Sequence, residues 1–317
     1  MKIQYLFAAC LLIAFGCKKG PKLQPPIPVN TNGLLTRTIR LDTDYYPTKY
    51  IYEEYRYDLS DRVQRYIKYE VDSSGVGPVH KDTIQVITFD YIPGNNTKLP
   101  DFSLENYRTP FYHLINAGHQ YFYDNQGRMI LDTLLAFYNN SNDPSTTDRG
   151  VVVARHVHYN GSSITVDNTN LDLFTLQQGI YHDSINLDPA GNVISTSTLD
   201  GRYFVTGNRD DFRLAGYFKD NFTYSTIENP LHRLSVSNIM AFVQTGFNGG
   251  AFYASYFSKN ALSSSSDTAP GIVNAVTTNF KYTTDPANMN LIKKISFSRP
   301  GANQHGGYEV FTYNTHF

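Results

Sequence analysis

Apolar and polar residues alternate with a period of two along most of the chain after residue 35. The alternation is clear in Thr36–Asp42, Tyr50–Tyr57, Val63–Val71 and Asp82–Tyr91. Successive side chains of a β-strand point to opposite faces of a sheet, so this pattern indicates strands rather than helices. The sequence therefore predicts an all-β domain.

The stretch from Tyr121 to Ile130 shows how the predicted strands are joined. Tyr121 and Tyr123 lie two positions apart, so they share one face of a strand. Asp124 can accept a hydrogen bond from the backbone two residues on and thereby start a turn. Gly127 supplies the positive φ with which a type I turn plus bulge ends. Arg128 then begins the return strand, within reach of Asp124 or a tyrosine ring, and the whole stretch predicts a β-hairpin.

The same turn chemistry recurs and divides the chain into hairpins. Five segments begin with aspartate and end with a residue type that tolerates the left-handed conformation. They are Asp58–Asp61, Asp72–Gly75, Asp124–Gly127, Asp188–Gly191 and Asp285–Asn288. Two shorter pairs, Asn160-Gly161 and Asp200-Gly201, match two-residue hairpin turns. Together these turns predict a curved, largely antiparallel β-sheet meander built from hairpin repeats.

Three stretches depart from the strand pattern. Leu99–Gly118 contains two prolines and mixed spacing, which predicts a long loop packed on the sheet. Leu231–Gly246 follows Asn229-Pro230 and predicts one short helix or irregular segment near 231–246. Ser263–Ser266 has neither a helical nor a strand period and predicts a loop.

The N-terminus has the features of an export signal. An apolar run from Tyr5 to Gly16 is too short to span a membrane as a helix, which takes ~20 residues, but it has a signal-peptide length. Ile13-Ala14-Phe15-Gly16-Cys17 resembles the bacterial lipobox. The resemblance implies cleavage after Gly16 and acylation of Cys17, which would anchor the chain in a membrane. The alternative is an ordinary secretory signal in which Cys17 is incidental.

Composition defines the rest of the chain organisation. Residues 1–16 are the predicted lipoprotein signal peptide, 17–35 a Pro-rich tether, and 36–317 a single large antiparallel β domain. The only cysteines are Cys10, within the signal peptide, and Cys17, so the mature domain has no disulfide and no thiolate metal site. Its stability must come from its own core.

Charge gives no indication of a nucleic-acid partner. Residues 1–16 hold one basic residue and no acid, so the mature chain has 26 basic and 28 acidic side chains and a net charge of −2. The sequence pI of 6.7 agrees with this balance, and no basic stripe is present. The chain contains 25 Tyr, 20 Phe and no Trp, a composition that suits exposed antiparallel sheet.

Several motifs together resemble a family of uncharacterised Bacteroidota lipoproteins with YD-like β repeats. They are the Tyr-x-Tyr-Asp-x-x-Gly-Arg units, Tyr224 to Pro230, Tyr256–Leu262 and Tyr308–Tyr313. The resemblance covers about Tyr50 to Tyr313 and implies a curved antiparallel sheet, with no established activity or catalytic residues. Two units depart from the pattern, with Asp61 in place of glycine and Leu187 in place of tyrosine.

The resemblance also bears on location, which we expect to be the bacterial outer membrane. Surface-export signals of such lipoproteins are acidic just after the cysteine. Here the corresponding residues are basic, namely Lys18, Lys19 and Lys22. We therefore expect a lipid-anchored protein on the periplasmic side rather than on the cell surface.

The strongest candidate for metal binding is the pair His156 and His158. In a strand these two histidines face the same side, as a chelating pair can. A third ligand would have to come from a neighbouring strand, with His182 or Asp183 as candidates. The preferred interpretation is two polar residues on the wet face of a sheet, so neither a metal site nor a cofactor is predicted.

Candidate catalytic and ligand-binding residues are few. No nucleophile elbow, zinc-protease helix or phosphate-binding glycine loop is present. Asp210-Asp211 are adjacent, so in a strand they would point to opposite faces rather than work as a pair. Tyrosines in the predicted strands could stack on a sugar or peptide, but cross-strand packing is the preferred interpretation. These tyrosines are Tyr55, Tyr57, Tyr66, Tyr69, Tyr121 and Tyr123.

The sequence favours a non-enzymatic structural or ligand-binding lipoprotein of the cell envelope. Its expected partners are the membrane, through the lipid anchor, and a glycan or another envelope protein. The repeats duplicate turn chemistry rather than an acid, base or nucleophile, and His113, His119 and His232 have no evident partner in the sequence. The alternative is an envelope hydrolase of glycan or ester substrates, with a site assembled from dispersed residues.

Overall fold

The structure is a computed structural model of the whole chain. It describes residues 34–42, 49–72, 80–92, 99–108, 112–140, 143–172, 178–202, 213–243, 249–268, 276–285, 288–299 and 305–313. The predicted signal peptide and most of the tether, with Cys17, lie outside the described residues, as do Asp210-Asp211 and the predicted turn after Asp72.

Sixteen β-strands are described, and they account for most of the domain. In chain order they are β1 (Leu35–Asp42), β2 (Lys49–Tyr57), β3 (Val63–Asp72), β4 (His80–Asp90), β5 (Phe102–Arg108), β6 (Tyr112–Tyr123), β7 (Met129–Asn140), β8 (Asp143–Asn160), β9 (Ser163–Asp172), β10 (Gln178–Leu187), β11 (Val193–Arg202), β12 (Arg213–Glu228), β13 (Asn260–Thr268), β14 (Val276–Asp285), β15 (Asn288–Arg299) and β16 (His305–Tyr313).

Every strand pairs antiparallel with its neighbours in sequence, and the sheet closes into a barrel. Closure comes from β1 and β16, which pair from Leu35↔Tyr313 to Asp42↔Gly307. The predicted all-β, antiparallel class is confirmed. The predicted curved meander was coarser than the closed barrel, which leaves no strand edge unpaired.

The barrel has two distinct ends. Each odd-numbered strand begins, and each even-numbered strand finishes, at the same end, which we call the collar end. The predicted turns Asp58–Asp61, Asp124–Gly127 and Asp188–Gly191 all lie there. The first strand also begins there, at Leu35. The chain therefore enters the barrel at the collar end.

Two short helices between β12 and β13 fill the collar end from inside. They are α1 (Ser237–Val243) and α2 (Gly249–Phe257). Their residues Met240, Phe242 and Tyr253 are fully buried in the same hydrophobic core as the inward side chains of the strands. The helix expected within Leu231–Gly246 is thus confirmed by α1, and α2 is an addition. In the part of the chain that the structure describes, no helix is long and apolar enough to cross a membrane.

The aspartate turns have the chemistry that the sequence predicts. Asp124 Oδ1 accepts hydrogen bonds from the backbone N–H groups of Gln126 and Arg128, each at 2.9 Å. Gly127 has a φ of 73°, as expected for the position that closes the turn. Asp61 stands in the corresponding place with a φ of 59°, so this aspartate accepts the left-handed conformation that glycine takes elsewhere.

Three sequence predictions were wrong in the same direction, because strands extend through the segments involved. Leu99–Gly118 is not a long loop, since it holds β5 and the first half of β6. Asp200-Gly201 lies within β11 instead of forming a turn. Ser263–Ser266 lies within β13, with Ser265 on the inner face and its neighbours on the outer one. Both faces are polar there, so the strand shows no alternation of apolar and polar residues.

Candidate functional site

A ring of tyrosines holds the strands together at the collar end. Seven of the eight even-numbered strands end near a tyrosine whose hydroxyl donates a hydrogen bond to a backbone carbonyl near the start of the preceding strand, from Pro100, just before β5, to Ile292, the fifth residue of β15. The distance is 2.6 Å from Tyr57 to Leu35 and 3.1 Å from Tyr159 to Met129. We call this set the tyrosine collar: Tyr57, Tyr91, Tyr123, Tyr159, Tyr224, Tyr282 and Tyr313. In β10 the position is Leu187, which has no hydroxyl to donate.

An apolar layer lies two residues before the collar in each even-numbered strand. Its members are Tyr55, Phe89, Tyr121, Val157, Ile185, Phe222, Phe280 and Phe311. Most of them belong to the core that also contains α1 and α2. Because alternate residues share a face, this spacing keeps the layer on the inside of the barrel, packed around the helices.

A polar layer lies a further two residues into the barrel. Its members are Glu53, His119, Arg155, Asp183, Asp220, Thr278 and Glu309, with Ile87 as the one apolar exception. Six of the eight positions are therefore ionisable and face the lumen. Ionisable groups are seldom placed inside a protein unless they are paired or exposed to water, so this layer is the candidate functional site.

Helix α2 separates the polar layer from the collar end by crossing the lumen. Tyr253 Oη donates to Asp183 Oδ2 on β10 at 2.8 Å, and Tyr256 Oη lies 3.5 Å from Tyr55 Oη on β2. Strands β2 and β10 are eight places apart in a closed ring of sixteen, so they lie on opposite walls. One short helix thus bridges the barrel.

Two serines fix the segment containing the helices to opposite walls in the same way. Ser235 Oγ accepts from the backbone N–H of Val63 on β3 at 3.1 Å, and Ser258 Oγ accepts from that of Val193 on β11 at 3.0 Å. These strands are also eight places apart. Each serine satisfies a backbone donor at the start of a strand, so the segment replaces ladder hydrogen bonds that the barrel itself lacks there.

Glu53 is the centre of one cluster in the polar layer. Its carboxylate accepts hydrogen bonds from Tyr66 at 2.9 Å, Thr38 at 3.1 Å and Tyr55 at 3.3 Å. Glu309 lies on the same face, one strand beyond Thr38. Burial, together with the nearby charge of Glu53, raises the pKa of Glu309 to about 7. Two carboxylates therefore share this part of the lumen, and Glu309 is partly protonated at neutral pH.

His119 is the centre of a second cluster. Its Nδ1 lies 3.0 Å from Asp132 Oδ1, its Nε2 lies 3.5 Å from Glu105 Oε2, and its ring is 2% exposed. Burial alone would lower the pKa of His119, but Asp132 and Glu105 outweigh it and raise the pKa to about 9. Arg155 Nη1, 2.7 Å from Asp132 Oδ2, adds a second cation. The cluster is a closed, charge-balanced network rather than a poised base.

The lumen beyond the polar layer is open to water. Asp267 is exposed although it shares the inner face of β13 with buried Ser265, and Arg40 is exposed although it shares the inner face of β1 with buried Thr38. Asp267 pairs in register with Asp220. Burial and Asp267 raise the pKa of Asp220 to about 6.

The histidines considered for metal binding, His156, His158 and His182, lie on the outside of the barrel. His156 and His158 share the outer face of β8, as predicted, and His182 lies on the outer face of β10. Asp167, which sequence reasoning missed, stands between them, 2.5 Å from His182 Nδ1 and 3.5 Å from His158 Nε2. Asp183 points into the lumen and takes no part. Among the described residues no three His, Cys, Asp or Glu side chains are arranged to hold a metal ion.

Most of the tyrosines considered for ligand binding pack inside the barrel, as the sequence favoured. Tyr55 and Tyr66 face inwards with ring centroids 5.4 Å apart. Tyr69 lies on the outer wall, where Lys81 Nζ is 3.7 Å from its ring centroid. The collar role of Tyr57 and Tyr123 was missed, although a signal exists. A tyrosine recurs near the end of alternate strands. An aromatic or aliphatic residue stands two positions before it, and in most repeats a polar residue stands four positions before it.

The fold and this interior define a class: a closed sixteen-strand antiparallel barrel with an internal helical segment at one end. Comparison with protein-family models and with curated proteins gives no match. Among solved structures, a porin-like protein from Bacteroides vulgatus ATCC 8482 is similar, with a TM-score of 0.52 and 10% identity over 89% of this chain and 99% of that one. A porin-like protein from Bacteroides uniformis ATCC 8492 gives a TM-score of 0.51 and 10% identity over 90% and 100%. At this identity the likeness concerns the fold.

Proposed function

We propose that the protein is a non-enzymatic lipoprotein of the bacterial outer membrane, anchored through Cys17, whose barrel stands in water and binds a polar ligand in the lumen. The observation that carries this proposal is the position of α2, which bridges β2 and β10 through Tyr256 and Tyr253. It makes the barrel a cup, closed at the collar end, with charged groups on its inner wall.

The alternative function is a channel, because the two similar structures are described as porin-like proteins. Transmembrane barrels carry an outward apolar band about 25 Å tall, and Lys or Arg on a lipid-facing position at mid-depth costs ~2–4 kcal/mol. Among the side chains that the structure describes, the outer wall from β10 to β15 is mostly polar instead. It includes Ser184, Asn186, Ser195, Ser197, Asn221, Thr223, Ser264, Ser266, Asn279, Lys281, Lys294 and Ser296. This part of the wall favours water over lipid, whereas the outer face of β16, β1 and β2 is more apolar, with Val310, Ile39 and Tyr52 side by side.

The charge of the inner wall indicates the kind of ligand. The polar layer and its neighbours offer carboxylates and tyrosine hydroxyls, which accept hydrogen bonds from hydroxyl-rich or cationic groups, and the Arg155 guanidinium, which donates to hydroxyl oxygens. A glycan, or a basic segment of another envelope protein, fits this wall, and a hydrophobic ligand does not.

The proposal is tested by fractionation, bilayer recording and binding assays. Cys17→Ala should move the protein from the membrane to the soluble periplasmic fraction, and wild type should incorporate labelled palmitate. Envelope glycans and basic peptides should bind wild type, and Asp267→Asn, on the inner wall, should weaken binding more than the outer-wall control Lys281→Gln. Steady single-channel conductance in planar bilayers would favour a channel. Turnover of a glycan or ester that His119→Gln abolishes would favour the hydrolase.

A further inference from the structure

Several exposed apolar side chains lie at the collar end of the barrel, where the turns Asp58–Asp61, Asp124–Gly127 and Asp188–Gly191 are described. Among the described residues, six large apolar side chains are exposed, from 39% for Ile130 to 65% for Leu59. The others are Ile92, Leu104, Phe122 and Ile194. Each lies in a turn at the collar end or within the first or last few residues of a strand there. We call these six residues the apolar rim.

The apolar rim is concentrated on one side of that end. Five of its members lie between β2 and β7, and only Ile194 lies elsewhere, at the start of β11. Single exposed apolar residues are common and need no explanation. A set of six at the collar end, five of them on one side of it, does need one.

The chain that precedes the barrel enters beside this side. β1 begins at Leu35, at the collar end and next to β2. Residues 18–34 lie between it and Cys17, a length that spans on the order of 55 Å when fully extended and less otherwise. The same segment carries Lys18, Lys19 and Lys22 and no acidic residue, which suits anionic headgroups.

From these observations we infer that the collar end docks on the membrane surface, with the apolar rim in the boundary between headgroups and acyl chains. This inference rests on the lipid anchor at Cys17 proposed above. The occupant is a lipid bilayer rather than a protein, because the rim lies at the end that the tether holds nearest the membrane. Docking by the collar end also points the opposite end of the cup, with its water-filled lumen, away from the membrane.

The chain contains no tryptophan, so single tryptophans can report on docking. Full-length, lipidated variants Leu59→Trp and Ile130→Trp carry the probe on the rim, and Thr223→Trp carries it on the polar wall of β12. All three positions are exposed, so each variant should keep the wild-type circular dichroism spectrum and melting temperature. The probes are compared in vesicles of phosphatidylethanolamine and phosphatidylglycerol whose acyl chains are brominated.

We expect brominated lipid to quench the two rim tryptophans by about half or more, because interfacial groups lie roughly 5–10 Å into the headgroup boundary, and to leave Thr223→Trp unchanged. Equal quenching at all three positions, or at none while the protein floats with the vesicles, overturns end-on docking and leaves the anchor intact. Failure to float, with no quenching, overturns both the anchor and the docking inference. Quenching at one rim position is sufficient support if the other variant is misfolded.

Discussion

Tyr253 Oη donates a hydrogen bond of 2.8 Å to Asp183 Oδ2, and this bond joins α2 to the wall of the barrel at β10. Asp183 is 7% exposed and Tyr253 is fully buried. A buried carboxylate is costly unless donors surround it. The bond therefore fixes both the helix and the charge, and it keeps α2 across the lumen.

The first prediction concerns this bond. Tyr253→Phe keeps the ring but removes one donor from a buried carboxylate, so it should lower the free energy of unfolding by ~1–3 kcal/mol. Tyr69→Phe is the matched control, since Tyr69 lies on the outer wall with only a 3.5 Å bond to Glu54. Urea denaturation followed by circular dichroism measures both. If the two variants unfold at the same urea concentration as wild type, α2 does not depend on this bond.

The second prediction concerns the turn between β6 and β7. Gly127 has a φ of 73°, and a Cβ there would lie 3.3 Å from Leu99 Cδ1. A β-branched residue is strained in this conformation, so Gly127→Val should cost ~1–3 kcal/mol of stability. Gly127→Asn should cost less, because asparagine tolerates the left-handed region.

Gly118→Val is the control for this turn. Gly118 lies in β6 at an ordinary φ, and its added Cβ would be 3.9 Å from Leu104 Cδ2. Melting temperatures of the three variants rank the costs. A Gly127→Val protein as stable as Gly118→Val would contradict the turn assignment.

The local parts of the fold were predictable because their causes are local. An aspartate that accepts backbone hydrogen bonds, followed by a residue with positive φ, defines a turn within five residues, as Asp124 and Gly127 do. Barrel closure had no such signal. It depends on the pairing of Leu35–Asp42 with Gly307–Tyr313, across nearly the whole chain, and nothing near either segment specifies its partner.

The candidate site was hidden for a related reason. Glu105, His119 and Asp132 come from β5, β6 and β7, and only the register of the three strands brings them together. In the sequence each looks like an isolated polar residue on a strand face. The sequence also does not tell which face of a strand points inwards. The spacing of His156 and His158 therefore suggested a site on what is the outer wall, whereas His119 alone faces the lumen.

The third prediction is a pH dependence that His119 causes. Its pKa is raised from 6.5 to about 9 in the folded protein, by Asp132 on β7 and Glu105 on β5. A histidine whose pKa is raised on folding contributes stability that is fully present below about pH 6.5 and is lost as pH rises through about 9. We expect a loss on the order of 3 kcal/mol across that window, since each pKa unit corresponds to about 1.4 kcal/mol.

His119→Gln removes this titration, so its stability should change much less between pH 6.5 and 9.5 than that of wild type. Asn186→Ser, at an exposed position on the outer wall, removes no titratable group, so it is the control and should keep the wild-type profile. Urea denaturation at closely spaced pH values gives the curves. A wild-type curve that stays flat or rises over this range would show that the cluster is not charged as described.

The fourth prediction concerns the seam between the first and last strands. A Cβ on Gly307 would lie 2.2 Å from the Leu41 carbonyl oxygen and 2.3 Å from Phe297 Cζ. The ring of Phe297 thus occupies the space of a side chain at Gly307. Gly307→Ala should cost ~1–3 kcal/mol through overpacking, and Phe297→Leu in the same chain should recover part of that loss.

Gly118→Ala is the control for the seam, since its Cβ meets only Leu104, at 3.9 Å. Thermal melts of the two single variants and the double variant are compared. Equal stabilities for Gly307→Ala and Gly118→Ala would mean that the β16 strand shifts freely to accept the methyl group. A loss that the double variant does not recover would mean that the Leu41 carbonyl, and not the Phe297 ring, causes the cost.

The tyrosine collar has a consequence for how barrels with other numbers of strands could be formed from the same hairpins. Each of its hydrogen bonds joins the two strands of one hairpin at their free ends, across only 20 to 31 residues. Seven of the eight hairpins are thus closed at their free ends by a hydrogen bond of their own, and only the β9–β10 hairpin, with Leu187, lacks it. Gene duplication or deletion of one hairpin would give an eighteen- or fourteen-strand barrel with the collar hydrogen bonds of the other hairpins intact. Adding or removing a whole hairpin also keeps the strand number even, as closure of an all-antiparallel barrel requires.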